Sequence, residues 1–124
     1  MQTFRSLSDV DRVTLPPKLR RAVTQALRTL LEAYGPDYDP DDCGYVVLLD
    51  QTTTDAHARD LMGRPWTEAL LEGVVYDREA GCFLTCVLTN NQFGWTILVP
   101  DEPWLDPKLR AKLVAELCSE GGGR

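Results

Sequence analysis

Apolar and polar residues alternate along segment 82–100 in a pattern that predicts a β-hairpin. With a two-residue turn at Asn90 and Asn91, every second residue of both strands would lie on one wholly apolar face. The facing pairs would be Cys82 with Val99, Leu84 with Ile97, Cys86 with Trp95, and Leu88 with Phe93. The opposite face is half polar and ends in an apolar corner of Phe83 and Leu98. A shift of one residue would mix the two faces, so the pattern predicts a register as well as two strands.

The rest of the chain predicts helices around one further strand. Apolar residues recur every three or four positions over 16–34, which is typical of an amphipathic helix. Segment 45–50 is apolar in both alternating sets up to its last residue, which favours a strand covered on both faces. Capping residues and glycines bound two short helices at 54–62 and 65–72. An aspartate followed by a proline opens a C-terminal helix over 107–118.

Together these elements predict an α+β fold with one domain over residues 1–120. Its mostly antiparallel four-stranded sheet would join strand 45–50 to a meander of strands 74–77, 82–89 and 93–99. The long helix and the C-terminal helix would pack on the apolar face of the sheet. Residues 1–14 allow one or two helical turns, with Ser8 and Asp11 as a capping box. Residues 121–124 are expected to form a flexible tail.

Composition and charge indicate which partners and which cellular compartment to expect. The chain has 124 residues and a formal charge of −6, which disfavours nucleic-acid binding because such binding depends on Lys and Arg. Its longest apolar run, 45–49, is too short to span a membrane, and no leader sequence is recognised at the N-terminus. The four cysteines form no C-x-x-C pair and are expected to be reduced thiols. The sequence therefore predicts a cytoplasmic protein that binds neither nucleic acid nor membrane.

No residue is assigned a catalytic role, and no cofactor is expected. The motifs of serine hydrolases, P-loop proteins and dinucleotide-binding proteins are all absent. His57 is the only histidine, and its neighbours predict a solvent-facing position. Cys82 and Cys86 are expected in the apolar core, where a thiol is not reactive. An enzyme is therefore disfavoured.

An acidic loop precedes the first predicted strand. It carries Asp37, Asp39, Asp41 and Asp42. A calcium site is disfavoured because Asp42 stands where an EF-hand loop needs glycine and Leu48 stands where it needs glutamate, and no metal site is predicted. The favoured interpretation is a solvated turn that ends the long helix. A third interpretation is a docking surface for a basic partner, since concentrated charge accelerates encounter with an oppositely charged protein. It is favoured over a metal site but less than the solvated turn.

Three basic residues, Lys18, Arg20 and Arg21, stand in the first turns of the long helix, where the helix macrodipole prefers anions. Their position allows a weak anion-binding site. Ion pairs with Asp9 and Asp11, or with the acidic loop, are the preferred explanation because surface pairs are common and individually weak.

Tyr76, Phe83 and Leu98 would lie together on the second face of the predicted sheet. Either helices cover both faces of the sheet, or a second copy or another protein covers this one. We predict a partner-binding or self-association face there.

The sequence thus predicts a non-enzymatic, cytoplasmic protein-interaction module of the inhibitor, immunity or accessory type. Its partner would be a protein, with a basic protein and a second copy of the chain as the two options. The alternative is a small-ligand-binding protein or enzyme with a pocket between the 52–73 helices and the sheet. A protein that mimics nucleic acid is disfavoured because the carboxylates cluster in one loop.

Overall fold

The computed structural model describes residues 1–88 and 93–117 and has the expected α+β architecture. Within these residues the strands are β1 Gln2–Phe4, β2 Gly44–Leu48, β3 Leu71–Asp77, β4 Cys82–Leu88 and β5 Gly94–Pro100. The α-helices are α1 Leu7–Asp11, α2 Pro17–Tyr34, α3 Pro40–Cys43, α4 Asp55–Met62 and α5 Pro107–Ala115. Short 3₁₀ helices occupy Gly35–Asp37 and Trp66–Glu68.

The described strands form one sheet in the order β1-β2-β5-β4-β3. Among the strand pairs of the described residues only β2–β5 is parallel, so the prediction of a mostly antiparallel sheet is confirmed. Strand β1 is an addition, because three residues are too few to show a two-residue alternation. Helix α1 follows it, and the Asp9 carboxylate accepts the Ser6 N–H at 3.2 Å. The helical turn expected in this region therefore begins two residues earlier than the Ser8 capping box implied.

Helices of this chain cover both faces of the sheet. Helices α1 and α2 pack on one face, where Val23 and Leu27 contact a cluster that includes Val46. Helices α4 and α5 and the 3₁₀ helix at Trp66 pack on the other face, around Val47. The prediction that α2 and the C-terminal helix share one face is wrong. Strand β2 is therefore buried on both sides, as its unbroken apolar run predicted.

The predicted register of the hairpin is wrong by one residue. Phe83 pairs with Val99, and Leu84 pairs with Leu98. Both alternating sets of β4 and β5 are largely apolar and both faces are covered, so alternation did not select one register. Thr85, expected on the half-polar face, is buried and donates its hydroxyl to the Glu72 carbonyl at 3.0 Å. The turn that set the predicted register, Asn90–Asn91, lies outside the described residues.

Segment 65–77 also differs from its prediction. The expected helix over 65–72 is a single 3₁₀ turn, and β3 already begins at Leu71. The pairing of β3 with β4 shifts between Glu72 and Val75, which marks a β-bulge. Gly73, expected to terminate a helix, has a φ of 57° and lies in the bulge.

The ends of the helices agree with the sequence to within a few residues. Helices α2 and α4 each begin one residue later than predicted. Helix α5 ends at Ala115, before the predicted end at residue 118. That residue and the predicted tail at 121–124 lie outside the described residues.

Candidate functional site

The connection between α2 and β2 carries the densest negative charge in the described chain. We call the carboxylates of Asp37, Asp39, Asp41 and Asp42, together with the ring of Tyr34, the acidic face. All five side chains are exposed, and Tyr34 is 39% exposed. The segment was expected to be a solvated turn, but it forms the one-turn helix α3. Its N-cap is Asp39, whose carboxylate accepts the Asp41 N–H at 3.0 Å.

One hydrogen bond links the segment that carries the acidic face to the sheet, and one ring contact lies within that segment. The Tyr38 hydroxyl donates to the Gly44 carbonyl at 2.8 Å, and its ring lies 6.2 Å from that of Tyr34. Partial burial and the nearby Cys43 raise the pKa of Tyr38, so its hydroxyl keeps the proton that it donates. The carboxylates are therefore presented by an ordered turn.

The acidic face is not neutralised from within the described chain. Ion pairs within residues 1–88 and 93–117 use other carboxylates, namely those of Asp9, Asp11, Asp50, Glu79 and Asp101. The Arg5 guanidinium lies near Tyr38, but it stacks over the ring of Tyr45 at 4.2 Å from its centroid. Across the same residues, His, Cys, Asp and Glu form no group of three or more that could hold a metal ion. The negative potential of the acidic face is therefore available to an external cation.

The second predicted partner face does not form. Phe83 and Leu98 are 1% and 0% exposed, and they belong to the cores on opposite sides of the sheet. The one-residue difference in register separates them. Tyr76 pairs with Phe83 as predicted, with ring centroids 5.0 Å apart, and remains 39% exposed. Of the three, only Tyr76 is accessible to a partner.

The basic residues at the start of α2 are largely paired. Arg20 bonds to Asp11 at 2.6 Å, as the preferred explanation proposed, and also donates to the Val10 carbonyl. Arg21 bonds to Glu79 at 3.3 Å. Lys18 lines an open depression at the start of the helix. Anion binding at these residues stays a prediction.

A crevice of about 180 Å³ opens at the carboxyl ends of the parallel strands β2 and β5. Side chains from the loop after each strand and from the 3₁₀ helix line it, among them Thr53, Thr54, Asp55, Trp66, Trp104 and Asp106. In open α/β sheets, ligands bind beyond the carboxyl ends of parallel strands, and the parallel pair β2–β5 presents an edge of this kind. One wall comes from the 52–73 segment, as the alternative function expected, but the sheet does not form the other wall, because no strand residue among those described lines the crevice. Its second wall, residues 104–106, was not foreseen.

Hydrogen bonds within the chain engage most donors around the crevice. The indole Nε1 of Trp66 donates to the Thr54 carbonyl at 3.1 Å, and that of Trp104 donates to Glu102 Oε1 at 2.8 Å. The Asp106 carboxylate accepts the Lys108 N–H at 3.1 Å as the N-cap of α5. The crevice therefore presents indole carbon surface and oxygen acceptors.

The only histidine takes a structural role beside this crevice. Nδ1 of His57 accepts the backbone N–H of Thr54 at 2.9 Å. An accepting Nδ1 leaves the proton of the neutral ring on Nε2. His57 thus stabilises the start of α4, and nothing in its contacts assigns it to acid–base chemistry.

Asp50 lies between two residues that line the crevice. Its Oδ1 accepts the hydroxyl of Thr52 at 2.5 Å and the amino group of Met1 at 3.0 Å. Partial burial opposes ionisation, but these bonds outweigh it and lower the pKa of Asp50 to about 2. Its charge is therefore already compensated within the chain.

The two cysteines of β4 are not nucleophiles. Burial and the nearby Asp77 raise the pKa of Cys82 to about 12. Burial and Glu72 also raise the pKa of Cys86, which is half-buried. Neither thiol ionises near neutral pH. The expectation of a core position is confirmed for Cys82, although it lies on the face opposite Trp95, and is wrong for Cys86, which is only half-buried.

Comparisons of this chain with protein-family models, with curated proteins and with solved structures find no match. None of the helices in residues 1–88 and 93–117 is long and apolar enough to cross a membrane.

Proposed function

We propose that this protein is a non-enzymatic, cytoplasmic interaction module that contacts a basic protein partner through the acidic face. The observation that carries this proposal is the concentration of four exposed carboxylates on an ordered turn, none of them within 4 Å of a cationic group of the described residues. Such a surface accelerates encounter with a positively charged protein. Inhibitor, immunity and accessory proteins act by this kind of contact, without chemistry of their own.

Tyr34 gives the acidic face an apolar component. Tyrosine is enriched in protein interfaces because it combines a large rigid ring with a polar tip. Here the ring of Tyr34 contacts the ring of Tyr38, which restricts its orientation before a partner binds. A partner could therefore bury Tyr34 at its centre while its basic side chains meet the surrounding aspartates.

A triple variant tests this proposal without removing the cap of α3. In Asp37→Asn, Asp41→Asn, Asp42→Asn, the acidic face loses three charges and keeps Asp39 as N-cap. Binding of a synthetic peptide rich in Lys and Arg would be measured by calorimetry at low and moderate ionic strength. We expect the variant to bind at least about tenfold more weakly, and wild-type affinity to fall steeply as salt rises.

A matched variant controls for total charge. Asp60→Asn, Glu68→Gln, Glu116→Gln also removes three exposed carboxylates, none of which forms an ion pair within the described residues. We expect this control to bind nearly as tightly as wild type. Equal weakening of the two variants would show that only net charge matters and would refute the proposal.

A homodimer, the other option from the sequence, would use a different surface. Phe83 and Leu98 are buried, so Tyr76 is the exposed member of the predicted face, and its neighbour Val75 on the edge strand β3 is 46% exposed. Sedimentation velocity of wild type and Val75→Glu tests this option. A concentration-dependent dimer that the substitution abolishes would support it, and a monomeric wild type at every concentration would refute it.

The crevice favours a second candidate function, the binding of a small ligand. Clefts that bind drug-sized ligands usually exceed about 300 Å³, so a crevice of about 180 Å³ suits a compact molecule. A thermal-shift screen of small cationic, neutral and anionic compounds tests it, because ligands that bind only the native state raise the melting temperature. If no compound of any class shifts the transition, this candidate fails.

A further inference from the structure

We propose that the crevice binds a compact organic cation, such as an alkylammonium group. This inference rests on the second candidate function and specifies its ligand class. It follows from what the crevice walls offer a ligand: hydrogen-bond acceptors, negative charge and indole surface.

The first step is the balance of donors and acceptors. The indole N–H groups of Trp66 and Trp104 are both engaged within the chain, by the Thr54 carbonyl and by the Glu102 carboxylate. The carboxylates of Asp55 and Asp106 remain beside them as acceptors. The amide of Gln51 can donate as well as accept. The two carboxylates only accept, so these walls favour a ligand that donates hydrogen bonds or carries positive charge.

The second step is charge. Asp55 and Asp106 both line the crevice, while neither lysine nor arginine is among its lining residues in the described chain. Asp106 has one oxygen engaged with the Lys108 N–H. Its other oxygen and the carboxylate of Asp55 have no partner within the described residues. An entering cation would therefore meet net negative charge without displacing an internal ion pair.

An anion is disfavoured even though α4 and α5 both begin here. Free N–H groups at a helix start attract anions, but this chain occupies several of them itself. The His57 N–H bonds to the Thr54 carbonyl at 3.1 Å, and the Lys108 N–H bonds to Asp106. An anion would also have to approach two carboxylates.

The third step is the tryptophan surface. Because their N–H groups point to other partners, Trp66 and Trp104 contribute ring carbon to the crevice. Tryptophan is the aromatic side chain that attracts a cation most strongly, and the attraction grows when the cation is desolvated. A small ammonium group with apolar substituents satisfies both the rings and the carboxylates, and it fits the limited volume.

Two nearly isosteric probes separate charge from shape. Choline carries the cation, and 3,3-dimethylbutan-1-ol has the same shape without the charge. Their affinities would be measured on the full chain by NMR titration, following the indole N–H signals of Trp66 and Trp104, with acetate as the anionic probe. We expect choline to bind at least about tenfold more tightly than the neutral alcohol, and acetate not to bind.

The variant Asp106→Asn tests the carboxylate with the fold preserved, because asparagine caps a helix about as well as aspartate. We expect it to weaken choline binding by at least about threefold. Asp60→Asn removes one charge from the outside of α4 and should leave choline binding unchanged.

The outcomes distinguish this inference from the function on which it rests. If the neutral alcohol or acetate binds as well as choline, the ligand is not a cation and the inference is wrong, while small-ligand binding stands. If Asp60→Asn weakens choline as much as Asp106→Asn does, choline is attracted by net charge and the crevice assignment is wrong. If no probe and no compound in the thermal-shift screen binds, the second candidate function fails as well.

Discussion

Replacing Gly44 by alanine should be among the most destabilising single-methyl changes in this protein. Gly44 joins α3 to β2 and has a φ of +116°, a conformation that residues with a side chain rarely adopt. A Cβ atom there would lie 1.8 Å from the carbonyl oxygen of Gly94. That oxygen belongs to the backbone of β5, the strand with which Gly44 pairs. The two strands would have to separate locally to admit the methyl group.

The expected cost combines two effects. Backbone strain in a sparsely populated region costs on the order of 1–3 kcal/mol, and overpacking typically costs another ~1–3 kcal/mol. We therefore expect Gly44→Ala to lower the free energy of unfolding by about 4 kcal/mol. Native proteins have free energies of unfolding of about 5–15 kcal/mol, so this loss would be a large fraction of the total stability.

Gly63→Ala is the matched control, because Gly63 also has a positive φ, of 80°, but has no atom within 4 Å of an added Cβ. We expect it to cost about 1–2 kcal/mol, from the left-handed conformation alone. Urea unfolding followed by tryptophan fluorescence would measure both variants. If the two substitutions cost the same, the close approach of Gly44 to Gly94 does not exist in solution and the reasoning fails.

Three further predictions concern a buried aromatic residue, a hydrogen-bonded carboxylate and a lysine of α5 that bonds to backbone carbonyls. Phe83→Ala should cost about 3–5 kcal/mol in urea unfolding because Phe83 is 1% exposed, and Tyr76→Ala should cost clearly less; equal costs would contradict the burial. Asp50→Asn should lower the free energy of unfolding by about 1 kcal/mol at pH 7, because a carboxylate whose pKa is lowered in the folded state stabilises that state above about pH 4. The difference from wild type should shrink as the pH falls toward 2. A difference that does not depend on pH would refute this prediction. Lys112→Met should cost about 1–2 kcal/mol, because the Lys112 ammonium donates to the carbonyls of Thr67 and Ala69; an unchanged urea midpoint would show that these bonds are weak.

The helices and the doubly covered strand could be predicted because their signals are local. The periodicity of α2 and the unbroken apolar run of β2 each depend on residues close in sequence. The register of β4 with β5 could not be predicted in this way. Residues such as Phe83 and Leu84 are both apolar, and helices from distant parts of the chain cover both faces. The choice between registers is therefore made by tertiary packing.

The same distinction applies to the candidate sites. The acidic face was visible in sequence because its four aspartates lie within six residues. Only one wall of the crevice, from residues 53–66, could be predicted from the sequence. The other wall comes from Trp104 and Asp106, which are distant along the chain. The parallel pairing of β2 with β5 brings these walls together. No local pattern reports a parallel contact between strands 50 residues apart along the chain.

The most direct test of the proposed function is to map where a basic peptide contacts this protein. Backbone amide shifts in two-dimensional NMR would be followed while an Arg- and Lys-rich peptide is added to the full chain at moderate ionic strength. We predict that the largest shifts cluster at residues 34–44, around Tyr34 and α3, and that they disappear in Asp37→Asn, Asp41→Asn, Asp42→Asn. Shifts spread evenly over exposed carboxylates elsewhere, such as those of Asp60 and Glu116, would contradict the assignment of the acidic face as the contact surface.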